Sequence, residues 1–301
     1  MTDQLNRACP VCSEARAKPF LKKESFQLLR CANCSMVYTN PVAADLASGE
    51  FYDRAGEGYL SSDKLESDYA DVRFDRELRL FRKYCRCGSV LDVGCSSGAF
   101  LYQLNKRFPG DYQILGTDAS SPPLEHAAKM GVPVVKDNFL THDFGQTFDA
   151  ITFWAMMEHL FEPEQFLKKA AVLLKPGGLC FILVPNMRSL AVRLLGSKYR
   201  YIYSEHLNYF TPGTLARFVG QELEVVTMHS MHFNPLVIWQ DARHGAHEVS
   251  REQRHELLKR TTAYKKSRWL APAKFGYRAA EKVLGTFLMA DNLVVVAGKL
   301  K

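Results

Sequence analysis

Between residues 89 and 185 the chain alternates short apolar runs with longer amphipathic stretches. The runs fall at residues 90–93, 113–117, 132–135, 150–154 and 179–185. Short apolar runs separated by helical stretches predict parallel strands wrapped by helices, an α/β class. Two later runs, at 223–231 and 292–297, predict further strands. The stretch between them, about 234–291, reads as helical and is too long for an ordinary connection. It is expected to be an inserted subdomain or lid. Ahead of the alternation, residues 1–41 are loop-rich and punctuated by cysteine, ending at Asn40-Pro41. Residues 42–88 form a polar, helical linker or cap carrying Tyr52, Tyr59 and Tyr69 among charges.

Composition changes this picture little. Apolar residues make up 47% and charged residues 24% of the 301, ordinary values for a globular chain large enough to bury a core without disulfides. The longest apolar runs, at 151–157 and 179–184, fall far short of the roughly 18 residues of a spanning helix. With no apolar leader at the N-terminus, the expected location is cytoplasmic, with peripheral membrane contact left open.

Charge changes it more. The net +7 comes from residues 240–301, which hold 13 Lys/Arg against six Asp/Glu. There Arg251, Arg254, Lys259, Arg260, Lys265, Lys266 and Arg268 interleave with Trp269, Phe275 and Tyr277. Basic residues with aromatics meet anionic membranes or RNA, or orient a phosphate-bearing acceptor; a solvated helix face reads the same way. Residues 1–40 carry only six Lys/Arg against three Asp/Glu, modest for a module that grasps RNA.

Cys9-x2-Cys12 and Cys31-x2-Cys34, eighteen residues apart, are two turns that can each present two thiolates. Together they predict a tetrahedral four-sulfur site for structural Zn²⁺, closed to any reacting ligand. Cys85, Cys87, Cys95 and Cys180 have no matching spacing, and Cys180 reads as packing within a strand.

The run Val90-Leu91-Asp92-Val93-Gly94-Cys95-Ser96-Ser97-Gly98 is a strand entering a glycine-rich turn ahead of a helix. Glycine there lets a ligand approach the backbone, and the helix start offers free amides. Twenty residues on, Asp118 closes the second strand, where a carboxylate can accept both hydroxyls of a ribose.

Residues 90–185 resemble the class I S-adenosylmethionine-dependent methyltransferases, whose Rossmann-like fold is a seven-stranded, mostly parallel sheet with an antiparallel last strand. The resemblance rests on Asp92, Gly94 and Gly98, on Asp118, on Asp137-Asn138-Phe139, on Phe148-Asp149-Ala150-Ile151, and on Lys175-Pro176-Gly177-Gly178. It implies that Asp92, Gly94, Cys95, Ser96 and Gly98 cradle the methionine end of S-adenosyl-L-methionine and that Asp118 and Ala119 hold the ribose. Asp137, Asn138 and Phe139 would border the adenine, with Trp154 and Glu158 also facing the cofactor. Ser96 stands where many members have glycine.

Two Glu-His pairs are candidates for the acceptor side. Glu158-His159 follows the fourth strand, where acceptors bind, and otherwise caps the next helix or shapes the cofactor pocket. In quinone O-methyltransferases a similar pair contributes to a metal site. Met156 and Met157, poor ligands for hard cations, argue against a catalytic metal here. Glu205-His206 precedes the helix start Thr211-Pro212, and a histidine oriented by a carboxylate suits proton abstraction.

The whole chain also resembles the sugar C-methyltransferases and related methyltransferases of polysaccharide and natural-product pathways. That likeness implies His206 as base, Glu205 as its partner and Tyr59 as a further contributor, although the longer C-terminal domain of those enzymes is missing. The expected acceptor is a sugar, nucleotide-sugar or lipid-linked glycan. An rRNA base, a quinone or lipid, and a non-catalytic adaptor role are the alternatives.

Overall fold

The computed structural model describes residues 3–23, 25–244, 259, 262 and 271–299. Its main body is a seven-stranded sheet ordered β12-β13-β10-β9-β6-β7-β8. These strands are β6 (Gly88–Val93), β7 (Tyr112–Thr117), β8 (Val134–Val135), β9 (Phe148–Trp154), β10 (Leu174–Pro185), β12 (Leu223–Met231) and β13 (Asn292–Lys299). β13 runs antiparallel to both of its neighbours, and β6 through β10 pair in parallel. Each run expected from the sequence forms a strand, and the last lies reversed as the class I fold requires.

The apolar content of the strands explains the layering. β13 reads Leu293-Val294-Val295-Val296-Ala297, all fully buried, because both faces of a central strand are covered. One face packs Phe81, Phe100, Leu104 and Phe181 under the helices Asp75–Tyr84 and Ala99–Arg107. Truncating Phe181, which has no exposed surface, to alanine would cost roughly 3–5 kcal/mol. Two of the family motifs serve this scaffold. Asp149 accepts from the Ser89 amide at 2.7 Å and pairs with Lys175 at 2.7 Å, at the amino ends of the strands.

The N-terminal segment builds its own sheet, ordered β11-β4-β3-β2, from β2 (Ala17–Lys22), β3 (Gln27–Cys31) and β4 (Val37–Thr39). Its edge is completed by β11 (Asn208–Tyr209), from the loop that carries Glu205-His206. Cys9, Val11, Met36 and Tyr38 join the same core cluster as Ile151 and Phe210. After it the chain winds through short helices, Ala44–Ser48, Glu50–Arg54 and Ser62–Asp68, that arch over the carboxyl ends of the strands.

Of the basic stretch, the helices Pro235–His244 and Ala271–Thr286 are described, and Lys259 pairs with Asp63 at 2.7 Å. Arg251, Arg254, Arg260, Lys265, Lys266, Arg268 and Trp269 lie outside the described residues. No helix among the described residues is long and apolar enough to cross a membrane.

Candidate active site

Strand order reverses between β6 and β9, and ligands bind outside the carboxyl ends of strands at such a switch point. A cleft of about 670 Å³ opens there, within the range of small-molecule sites. Its walls come from the turns after β6, β7, β8 and β9, and its roof from residues 46–49 and Tyr52.

The first wall is the turn after β6. Gly94 holds φ +76°, and a Cβ there would meet Met156 at 2.7 Å, so only glycine leaves this approach open. Ser96 and Ala155 both line the cleft in the left-handed region, at φ 49° and 55°. Non-glycine residues occupy that region at a cost and concentrate at functional sites. The Ser96 hydroxyl is buried without a partner among the described residues. Gly98 starts the helix Ala99–Arg107 with no side-chain cap.

Asp118 forms the second wall. Its Oδ2 accepts from the Ser96 amide at 2.8 Å and its Oδ1 from the Ser120 amide at 2.9 Å, which fixes the carboxylate and leaves each oxygen a lone pair for a diol. Burial raises its pKa, against the opposing pull of those amides. The third wall pairs polar Asp137 and Asn138 with Phe139, which stacks on Phe166 at 5.4 Å. The His142 ring, 2.9 Å from Asp137, holds that carboxyl below its usual range.

Gly94, Ser96, Asp118, Ala119, Asp137, Asn138, Phe139 and His159 therefore reach the cleft surface. Asp92, Cys95, Gly98, Trp154 and Glu158 stand behind it. Asp92 accepts from the Thr152 hydroxyl at 2.6 Å, and burial lifts its pKa to about 7. Cys95 fills the space over Gly116. Trp154 packs on Phe100 at 5.0 Å. Sequence reasoning stopped one or two residues short of Ser120, Lys136 and Met156, and it missed the roof residue Tyr52 because no local motif marks a side chain delivered from a distant segment.

The two Glu-His pairs converge. The His159 and His206 rings lie 4.7 Å apart, and ligand-capable atoms of Glu158, His159 and His206 all fall within 4.8 Å of one another. His159 lines the cleft, and His206, 4% exposed, stands behind it. Each ring places Nδ1 2.9 Å from a carbonyl, that of Glu205 for His159 and that of Tyr201 for His206. A carbonyl only accepts, so Nδ1 carries the proton and Nε2 is the basic atom in both neutral rings. At Nδ1 His206 is thus oriented by the Tyr201 carbonyl, and the Glu205 backbone carbonyl orients His159. Tyr52 adds its hydroxyl at 3.1 Å from His159 Nδ1. Burial pushes the Glu158 carboxyl to about 8, and its Oε2 has no partner. Tyr59 falls in the turn Gly56–Leu60, and its side chain lies outside the described residues.

The four cysteines also meet. Cys9 and Cys34 sulfurs are 3.4 Å apart, Cys12 and Cys31 3.5 Å, and all four lie within 4.8 Å of one another. Bonds of about 2.3 Å to a tetrahedral Zn²⁺ would set the sulfurs roughly 3.8 Å apart, so the donor set fits.

Among curated proteins, the chain is 29% identical over 165 residues to a ubiquinone biosynthesis O-methyltransferase of Chromobacterium violaceum, covering 49% of this chain and 69% of that one. It is 28% identical over 193 residues to the protein of that name from Serratia proteamaculans, covering 57% and 79%. Among solved structures, an S-adenosylmethionine-dependent methyltransferase from Thermotoga maritima superposes with a TM-score of 0.53 at 16% identity, covering 83% of this chain and 99% of that one. Residues 65–223, more than half of the chain, match the family described as a methyltransferase domain, and the chain belongs to that family as a class I S-adenosylmethionine-dependent methyltransferase.

Proposed function

We propose that this enzyme methylates a hydroxyl-rich small molecule, with the His159–His206 pair removing the acceptor proton. The cleft supports the cofactor assignments: the Gly94–Gly98 turn for the methionine end, Asp118 for the ribose diol, and Asp137, Asn138 and Phe139 for the adenine. When bound there, S-adenosylmethionine supplies an activated methyl group and departs as S-adenosylhomocysteine. The protein's part is to orient the acceptor in line and to take its proton at an imidazole Nε2. The four-cysteine cluster is proposed to hold structural Zn²⁺, and residues 1–41, 42–88 and 89–301 to act as module, cap and catalytic domain.

The observation that carries the acceptor class is the Glu158–His159–His206 cluster, in which His159 lines the cleft and the buried Glu158 Oε2 beside it has no partner among the described residues. Unsatisfied buried groups are costly, and a ligand that both donates and accepts, such as a sugar, relieves that cost.

The second reading is an aromatic or quinone-derived acceptor. The names of the curated relatives favour it, as do the apolar Leu160, Phe161 and Phe166 on the cleft wall. Release of S-adenosylhomocysteine against nucleotide-linked keto-sugars, glycans, quinols and rRNA separates the two. Turnover confined to the sugar arm is expected; turnover confined to quinols or RNA overturns the acceptor class and leaves the cofactor cleft standing.

A further inference from the structure

Arg7, two residues ahead of the first cysteine, makes an unusual set of contacts. Its Nη1 donates to the Phe161 carbonyl at 2.7 Å and, at 3.5 Å, to that of Leu160. Its Nη2 donates to the Leu207 carbonyl at 2.6 Å and to Asn208 Oδ1 at 3.0 Å, and its Nε to the Thr39 carbonyl at 3.3 Å. Its backbone amide is tied to Asn40 Oδ1 at 2.9 Å. Its acceptors come from three segments far apart in the chain, the turn after His159, the start of β11 after His206 and the end of β4, of which the last two share a strand ladder.

The same three segments are stitched to one another. Thr39 donates its amide to the Leu207 carbonyl at 2.9 Å and its hydroxyl to the His206 carbonyl at 3.0 Å. The Leu207 amide reaches the Glu158 carbonyl at 2.7 Å, and Asn208 Nδ2 donates to Met157 and Leu160 at 2.8 and 2.7 Å. β11 pairs with β4, Asn208 opposite Tyr38. The two histidine-bearing turns are thus tied to each other directly and, from outside the main sheet, to the segment that leads into Cys9.

We infer that the four-cysteine module is a positioning frame for the His159–His206 pair, with Arg7 as its arm. A planar guanidinium can serve several carbonyls at fixed angles, which a lysine ammonium cannot. Because Arg7 donates to backbone on both histidine-bearing turns, losing it loosens their spacing, while the Gly94–Gly98 turn, Asp118 and Asp137–Phe139, which Arg7 does not contact, stay in place. A shift of about 1 Å at reacting groups can cost about 100-fold in rate. This inference rests on the reading of the histidine pair as the base, so its test includes a readout independent of turnover.

The experiment compares the full chain with Arg7→Lys and Thr39→Val variants, the second removing one hydroxyl from the frame with little change in volume. Measured together are metal content, S-adenosylhomocysteine affinity, kcat, and the NMR signals and titration of the two histidines. We expect kcat to fall about 10- to 100-fold in Arg7→Lys and less in Thr39→Val, with histidine signals moved in the same order. Affinity for S-adenosylhomocysteine should stay within about twofold. Chelating the metal from the wild-type chain should move the same histidine signals. Unmoved histidine signals in both variants, or cofactor affinity lost in step with kcat, would overturn the frame. If His159→Asn and His206→Asn both retain turnover while Arg7→Lys still moves the signals, the base assignment fails and the frame stands.

Discussion

The cofactor cleft and the four-cysteine module are built in opposite ways. The cleft is lined by turns that follow strands, so its shape comes from backbone: Gly94 at φ +76°, Ser96 and Ala155 in the left-handed region, and amides fixed on Asp118. The module has short strands that share the main core through Val11, Met36 and Tyr38, and it gathers four sulfurs and the Arg7 guanidinium beside them. The cleft inherits its rigidity from the buried sheet beneath it, whereas a segment of forty residues needs a staple. The proposed acceptor side lies where the two meet, at the turns after His159 and His206.

Removing the metal should break this contrast most visibly. Chelation is expected to lower the Tm by roughly 10 °C or more, since structural zinc contributes on the order of 10 kcal/mol in small modules. A metal content near zero in freshly purified protein with unchanged Tm would refute the four-thiolate site. Next in size is the histidine pair. His206→Asn should cut kcat by roughly 10²–10⁴ with cofactor affinity held, read by single-turnover assays. Asp118→Asn should weaken S-adenosylhomocysteine binding roughly 10- to 100-fold by calorimetry, the worth of charged hydrogen bonds to the ribose, without touching metal content.

The smallest effect is on stability. Glu158 has a folded pKa of about 8, above its unfolded value of 4.5, so the folded state binds the extra proton between those limits. Its stability is therefore full below pH 4.5 and falls as pH rises towards 8. Glu158→Gln, which cannot ionise, should match the wild type at low pH and exceed its Tm by a few degrees above pH 8. A difference independent of pH would remove the buried-carboxyl account.

Much of the cleft was legible because its parts are local. A strand, a glycine turn and a helix follow one another between Val90 and Phe100, and Asp118 ends the next strand, so spacing alone places them. The four cysteines were legible for the same reason, as two tight turns. Less legible were Tyr52, which reaches His159 from more than a hundred residues away, and Arg7, whose acceptors lie up to two hundred residues on. Glu205 and His206, adjacent in the chain, read as a partnered dyad; nothing in the sequence signals that the Glu205 carbonyl also reaches His159.

The sequence by itself determined the strand order's raw material, the glycine turn after Val93, the Asp118 carboxylate at the end of the next strand and the sulfur quartet, because each depends on residues a few positions apart. Only the tertiary structure decided that β11 joins the module's sheet, that His159 stands in front of His206, and that Trp154 and Glu158 sit behind the cleft wall. Those outcomes depend on which distant backbone carbonyls are left without partners once the sheet has closed. A buried carbonyl takes its donor from whatever side chain packing brings within reach.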